Sequence, residues 1–379
     1  MHAVPLEMIP VVMDLGLTAL RYPGGAWGDS VNIKPFQIDM FLDFCNQMGA
    51  LPTISVRLWG GTPEQAADLV RYTNVEKEYG VIYWSIGNEP TLYEEDTGEV
   101  YDTVRFNQEW RAIAEAMKAE DPNIKLMGPE LHQWEADLET TLKDSSGRDW
   151  MTEFLKANGD LVDVVTVHRY PLWKPVGSPT IQEMRDNTQE WPQLVTYLDG
   201  LIQEITGRGI PIAFTEVNSS PTGAIGQESS PDSFYNAIWY ADVLGKLIQE
   251  DVFMVNHWVI SQRSTGHGLI QGTNIRPTLY TFQIYKHFGN QQVYTASDLA
   301  DVTVYAAKRQ DETLTIMVIN LSDVEQEVPL KVKGVQPSKA DVWLLDSSHN
   351  AENLGEQSFT SDNIITLPAQ SVTLYAIAP

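Results

Sequence analysis

The run Val81-Ile82-Tyr83-Trp84-Ser85-Ile86-Gly87-Asn88-Glu89-Pro90 sets the pattern for the whole chain. Its first six residues are mostly apolar, too few for a helix, and lack the alternation of a half-buried strand. Such a run reads as a strand buried on both faces, and this one ends abruptly in polar groups. Similar runs recur at Thr18–Tyr22, Pro52–Val56, Lys125–Gly128, Val162–Val167, Pro211–Phe214 and Phe253–Trp258. Helical signals lie between them. Thr62-Pro63-Glu64-Gln65 offers a Thr N-cap, Pro at the first helical position and Gln in the capping-box position. Trp191, Leu194, Val195, Leu198, Leu201, Ile202 and Ile205 make one apolar stripe, with Gly207 placed to end it. Phe106, Trp110, Ile113, Ala114 and Met117 make another.

Repeated strand–helix units predict either a closed (β/α)8 TIM barrel or an open doubly wound sheet. Gly24-Gly25 is followed by Ala26-Trp27 rather than by the helix opening of a dinucleotide turn. Polar groups follow strand after strand: Arg21, Arg57, Glu89, Glu130, His168, Glu216 and His257. A ring of strand ends around one mouth accounts for this better than a single crevice does, so the barrel is the expectation. Seven strands are legible where a barrel of this type has eight. The first is expected to be missing or a short stub, because only Met1–Val4 precede the helical stretch at Pro5–Leu15.

The pattern changes near residue 290. Ten of the eleven tryptophans precede that point, leaving Trp343 alone behind it. The segments Thr303–Ala307, Thr313–Ile319, Glu327–Val332, Lys339–Leu345, Ile364–Leu367 and Val372–Ile377 alternate, with Gly, Asn, Asp and Pro between them. They predict a C-terminal antiparallel β-sandwich. The expected division is a barrel over 1–290 and a sandwich over 291–379, packed together without a flexible linker.

Composition narrows the partners. The 379 residues include 25 Lys+Arg against 51 Asp+Glu, a formal net charge of −26. Phosphates would be repelled, which argues against nucleic acid and anionic membranes and fits a neutral ligand. At 43% hydrophobic residues, global disorder is excluded, and no apolar run reaches the length of a membrane-spanning helix. Met1-His2-Ala3-Val4-Pro5 lacks the basic start and apolar stretch of a secretory leader, which leaves cytoplasm, or secretion with a leader removed, both open. Cys45 is the sole cysteine, so an intrachain disulfide and a thiolate-rich metal site are excluded. The seven histidines have no close paired spacing, and no metal or cofactor is expected. Gly-x-Ser-x-Gly and P-loop motifs are absent.

Two carboxylates stand out by position. Glu89 and Glu216 each close a buried strand, where a charge is costly unless paired or set at the mouth. Their strands fall on opposite sides of the expected opening. A lone strand-end glutamate is more often an ion-pair partner. Two facing each other amid Asn, His, Tyr and Trp suit glycoside hydrolysis, in which one acid protonates the leaving oxygen and one carboxylate attacks or activates water.

Here the residues resemble a known group. Trp84-Ser85-Ile86-Gly87-Asn88-Glu89-Pro90 resembles the Asn-Glu-Pro signature of clan A retaining glycoside hydrolases, and Phe214-Thr215-Glu216-Val217-Asn218-Ser219 resembles their nucleophile strand. Arg21-Tyr22-Pro23-Gly24-Gly25, Gly61-Thr62-Pro63-Glu64-Gln65-Ala66-Ala67 and Tyr79-Gly80-Val81-Ile82-Tyr83-Trp84 look most like family 51, the α-L-arabinofuranosidases. The stretch around Glu216 and the tail are also similar to family 39, the β-xylosidases. The resemblance implies Glu89 as acid/base and Glu216 as nucleophile. It implies Asn88 as a partner of the sugar 2-hydroxyl, and Arg21 as the group that keeps Glu216 a carboxylate. His168 and Tyr170, in Val167-His168-Arg169-Tyr170-Pro171, would lie at the mouth. Trp258, Trp27 and Trp59 follow strands and offer platforms for a sugar face, with core packing as the alternative. Trp110, Trp191 and Trp239 fall on helical stripes and read as core.

The expected function is a retaining hydrolase of neutral plant-type saccharides, arabinofuranosidase-like or another hemicellulase. An endo-β-glucanase or xylanase is the alternative within the clan, and an inactive carbohydrate-binding protein the alternative outside it. Oligomeric state is not legible.

Overall fold

Seven short strands, β1 (Ala19–Tyr22), β2 (Leu51–Val56), β3 (Tyr83–Ile86), β4 (Lys125–Leu131), β5 (Val164–Arg169), β6 (Ile212–Val217) and β7 (Met254–His257), pair in chain order. Every neighbouring pair is parallel. These are features of a computed structural model that describes residues 4–137, 140–173, 178–334 and 338–379. β1 comes to lie beside β7, although no ladder joins them, so the sheet curls to a nearly closed barrel. Of the stub expected at Met1–Val4, residues 1–3 lie outside the described residues, and Val4 is not in a strand.

Helices clothe the barrel. They are α1 (Ile9–Met13), α2 (Trp27–Ser30), α3 (Pro35–Met48), α4 (Pro63–Val70), α5 (Tyr93–Thr97), α6 (Thr103–Glu120), α7 (Trp150–Asn158), α8 (Ile181–Asn187), α9 (Trp191–Thr206), α10 (Phe234–Gln249) and α11 (Thr278–Tyr285). The local signals act as read. Thr62 accepts the Gln65 amide at the start of α4, one half of the expected capping box, with Pro63 following. Gly207 ends α9 in the left-handed conformation, φ 66°. Trp110, Trp191 and Trp239 are fully buried between helices and sheet.

The barrel interior is filled from the bottom. Ala19, Leu51, Tyr83, Met127, Val164, Ala213 and Met254, one from each strand, form an apolar floor. Two residues on, the period of a strand brings Arg21, Thr53, Ser85, Thr166 and Thr215 to the same inner side. The floor is therefore dry, and the layer above it polar. This is a packed core rather than a pore.

After β7 come a two-residue hairpin, β8 (Ile270–Gln271) and β9 (Asn274–Ile275), and then the tail. β10 (Gln291–Val293), β11 (Val302–Lys308), β12 (Leu314–Asn320), β17 (Ser371–Ile377), β14 (Ser338–Leu345) and β15 (Asn350–Phe359) form one antiparallel sheet in that spatial order. β13 (Gln326–Lys331) and β16 (Asp362–Leu367) form a second sheet. Val328, Ile365 and Leu367 of the small sheet pack on Val318, Val342, Phe359 and Tyr375 of the large one, which makes a sandwich. Besides the β8–β9 hairpin, two strands of the tail escaped the sequence reading. β15 is an edge strand of mostly exposed polar residues, broken by Gly355 and paired to β14 through register shifts. β10 has only three residues.

The other face of the large sheet is apolar too. Tyr305, Met317, Ile319, Val372 and Leu374 meet Ala237, Ile238 and Ala241 of α10 and Ile284 of α11. The tail is thus docked on the barrel wall, as its missing linker suggested. Gly245 of α10 marks the closest approach, because a β-carbon there would lie 2.3 Å from the Tyr305 ring. Tyr305 cannot retreat easily, since its hydroxyl donates to buried Asp242. Gly245→Val is expected to destabilise the protein by about 1–3 kcal/mol through overpacking. A urea midpoint unchanged from wild type would show that the two parts are not rigidly packed here.

Candidate active site

The polar layer is assembled by irregular strand ends. Register shifts fall between Pro129 and Leu131, between Val167 and His168, and between Phe214 and Val217, all at the same end of the sheet. A regular strand points successive side chains to opposite faces. At this end Thr215 and Glu216 both reach inward, Thr215 to Glu130 and Glu216 to Arg21. Such irregularities re-aim side chains. Glu89 and Glu130 take positive φ, 48° and 58°, just where their strands stop. The Glu89 amide donates to the Glu130 carbonyl at 2.9 Å, which holds the two strand ends side by side.

Six of the expected residues, Arg21, Asn88, Glu89, His168, Tyr170 and Glu216, meet around one point. Arg21 donates from Nη1 to Glu216 Oε1 at 2.7 Å and from Nη2 to Asn88 Oδ1 at 2.8 Å. The Tyr170 hydroxyl donates to Glu216 Oε2 at 2.6 Å. His168 Nδ1 lies 2.8 Å from Glu89 Oε1 and 3.8 Å from Glu216 Oε2. One oxygen each from Glu89 and Glu216, with a ring nitrogen of His168, lie within 4.8 Å of one another.

Electrostatics follow from this crowding. Burial works against a charge on His168, but Glu216, Glu130 and Glu89 outweigh it and lift its pKa to about 10. Burial likewise opposes ionisation of Glu130, yet Arg21, His168 and Thr215 draw its pKa down to about 2. Glu89 feels burial upward and the His168 donor and charge downward, and the latter prevail. Tyr170 is pushed far up by burial and by Glu216, so its hydroxyl remains a donor. The three donor atoms that crowd within 4.8 Å are of a kind that can ligate a cation. Here the imidazole is engaged by carboxylates on both nitrogens, at 2.8 and 3.0 Å, which makes it a proton donor rather than a ligand.

The tryptophans divide. Trp258, half-buried, stands at the end of β7, and its ring lies against Gly24 and Gly25. A β-carbon at either glycine would fall 2.6–2.7 Å from the indole. Trp27 leans on Tyr22, at 6.2 Å between centroids. Trp59 is edge-on to Tyr93 and Tyr101, with the Arg105 guanidinium over its ring. Of the other strand-end groups, Arg57 holds the Trp59 carbonyl. His257, with its pKa lowered to about 3 by burial, contacts the His267 carbonyl.

Two members were not assigned from sequence. Glu130 was visible only as one more strand-end acid, and its Gly-Pro-Glu setting names no role. Asp29 lies in the short helix α2 and carries no motif. Its buried carboxylate accepts the amides of Leu58, Trp59 and Asn88 at 2.7, 3.3 and 2.7 Å, and the Tyr93 hydroxyl. It ties the ends of β2 and β3 together and so fixes the backbone that carries Asn88 and Glu89.

No family model matches the chain. It is similar to α-L-arabinofuranosidase C of Emericella nidulans, 26% identical over 162 residues, which cover 32% of this chain and 31% of the relative. It is similar to the intracellular exo-α-(1→5)-L-arabinofuranosidase of Streptomyces lividans, 26% identical over 213 residues, 43% of this chain and 29% of the relative. The match thus spans about a third of the length of these curated relatives. Among solved structures, the α-L-arabinofuranosidase of Thermotoga maritima superposes with a TM-score of 0.78 at 19% identity, over 98% of this chain and 89% of that one. A bifunctional glucanase-xylanase from a metagenome library gives 0.77 at 19%, over 98% and 94%. A Paenibacillus polymyxa xyloglucanase of glycoside hydrolase family 44 gives 0.78 at 14%, over 97% and 94%. The chain therefore has the fold of these TIM barrels with a C-terminal β-sandwich. Its structural neighbours include arabinofuranosidases, two of them of family 51, and glucanases of family 44.

The charge cluster makes a pH prediction. Unfolded His titrates near 6.5 and Glu near 4.3, as approximate reference values. His168 is raised, so the stability it contributes is full below about pH 6.5 and is lost as pH climbs towards 10. Glu130 is depressed, so its contribution is present above about pH 4.3 and is lost as pH falls towards 2. The urea midpoint of the wild-type protein should drop from neutral to alkaline pH, and that of His168→Asn should drop less. Parallel curves would contradict a charged His168.

Proposed function

We propose that this chain is a retaining glycoside hydrolase acting by double displacement on a neutral plant-type oligo- or polysaccharide. Residues 1–290 form its catalytic part and 291–379 its support. The observation that carries this is the spacing of the carboxylates. Oxygens of Glu89 and Glu216 no more than 4.8 Å apart suit a retaining pair, roughly 5–5.5 Å, and leave no room for the water that an inverting pair admits at roughly 6.5–9.5 Å.

Roles follow from the partners. Glu216 is oriented by Arg21 and Tyr170, which hold one oxygen each, so the carboxylate is aimed as a nucleophile at the anomeric carbon. Glu89 is held through Oε1 alone, by His168, and its side chain is 20% exposed, which leaves it able to meet a leaving oxygen at the mouth. It gives a proton in the first step and takes one from water in the second. Asn88 has its Oδ1 taken by Arg21, which leaves its amide NH2 for the 2-hydroxyl. Trp258, packed against the glycines beyond β1, is the platform for the sugar face, with Trp27 and Trp59 further along the rim.

An arabinofuranosidase or another hemicellulase is the favoured specificity, after the curated relatives. An endo-β-glucanase or xylanase is the second reading, favoured by the likeness to glucanase-xylanase and xyloglucanase barrels. Aryl arabinofuranoside, xyloside and glucoside, tried beside arabinan, xylan and glucan, separate the two. Activity on none of them would overturn the hydrolase and leave a carbohydrate-binding protein.

Glu216→Ala is expected to abolish turnover and to regain it with azide, which attacks from the emptied position to give a glycosyl azide. Unimpaired hydrolysis by that variant would refute the assignment. Glu89→Ala should slow poor leaving groups by about 10²–10⁴-fold while sparing activated aryl glycosides. An equal loss on both would remove Glu89 from proton transfer.

A further inference from the structure

Glu130 is a buried charge that neither attack nor protonation uses. Its carboxylate is wholly inaccessible on β4. Oε2 gathers His168 Nε2 at 3.0 Å, Thr215 Oγ1 at 2.5 Å and Arg21 Nη2 at 3.5 Å. Oε1 has no hydrogen-bond partner among the described residues. The other ring nitrogen of His168, Nδ1, faces Glu89 Oε1 at 2.8 Å. A neutral imidazole carries a single N–H. Carboxylates on both nitrogens therefore call for the doubly protonated ring, and Glu130 is the partner that holds the proton on the far side.

We propose that Glu130 is a positioning residue for proton transfer: by fixing His168 as a double donor between two glutamates, it sets the pH at which Glu89 carries a proton. The proposal deepens the hydrolase reading above and rests on it for the role of Glu89. The surroundings of each group are closed. His168 meets Glu89 beyond β3, Glu130 from β4 and Glu216 from β6. Glu130 meets Arg21 from β1, His168 from β5 and Thr215 from β6. Glu89 has His168 in contact and Glu216 within 4.8 Å, with Arg21 as a further charge acting on it and His132, its own pKa lowered by burial, nearby. The Tyr170 hydroxyl, being committed to Glu216, does not compete for the ring.

Glu130→Gln keeps the shape of the site and an acceptor for Nε2–H, and removes only the charge. The ring then relaxes to the neutral Nε2–H tautomer. Its bare Nδ1 accepts a hydrogen bond from a protonated Glu89. The pair at 130 and 168 carries zero net charge in both proteins. What is lost is the cation that touches Glu89, so Glu89 holds its proton to higher pH.

The test is the pH profile of kcat/KM on an aryl glycoside that the wild-type protein cleaves. In Glu130→Gln the alkaline limb should move up by about one pH unit or more, the size expected for a lost opposite charge in contact. Glu130→Asp, which keeps the charge, should move it less. A fall in kcat with an unmoved limb would be a merely structural effect and would overturn the proposal. Ring ¹⁵N signals of His168 give a second readout that needs no turnover. The wild-type ring should carry protons on both nitrogens at pH 7, and the Glu130→Gln ring on one. A singly protonated wild-type ring overturns the proposal even if the variant does not fold. If no glycoside is cleaved, the hydrolase reading has failed, and the ring signals still decide whether Glu130 holds the second proton.

Discussion

The structure turns on one constraint: three carboxylates and two cations must be buried together at the mouth of a barrel. Glu89, Glu130 and Glu216 face Arg21 and His168, and Arg21 and His168 are almost or wholly inaccessible. A buried ion that loses its partner is left with an uncompensated desolvation cost, typically about 3–5 kcal/mol. Each cation here serves more than one anion, so no pair stands alone. Arg21 comes from β1, while its partners come from β4 and β6. The sheet must curl for those strand ends to meet. Charge pairing and curvature thus enforce each other, across a wall whose β1 and β7 edges share no ladder.

That cluster needs side chains in places a regular strand does not offer. The shifts in β4, β5 and β6 supply them, and the dry floor beneath makes the contacts strong. Met127, Val164, Ala213 and their neighbours seal the lower interior. Hydrogen bonds above them work in a setting of low polarity, where a matched pair gains and an unmatched one is penalised. Asp29 does the complementary task from outside the ladder, by tying three backbone amides and so holding the Asn88-Glu89 turn.

Much of this was legible because burial writes itself into sequence. All seven barrel strands read as apolar runs, since parallel strands covered on both faces tolerate little else. Helix ends were legible at Thr62 and Gly207 because capping uses few residue types. Glu89 and Glu216 were legible as acids that end such runs. What stayed hidden depended on three dimensions. Glu130 looks like any strand-end acid until His168 is placed beside it. Asp29 sits in the one-turn helix α2, and its partners are up to 64 residues away. β15 lacks an apolar face because it closes an edge, so its sequence reads as loop.

The indole of Trp258 clasps the glycine pair that follows β1, and it does so across the one gap in the wall that lacks backbone bonding. Positions 24, 25 and 258 are therefore a single steric unit. A side chain gained at either glycine displaces the ring, and Gly25, at φ 64°, is held to glycine by its backbone as well. The width of the rim at this seam is thereby set by three residues at once, and none of them can grow without moving another.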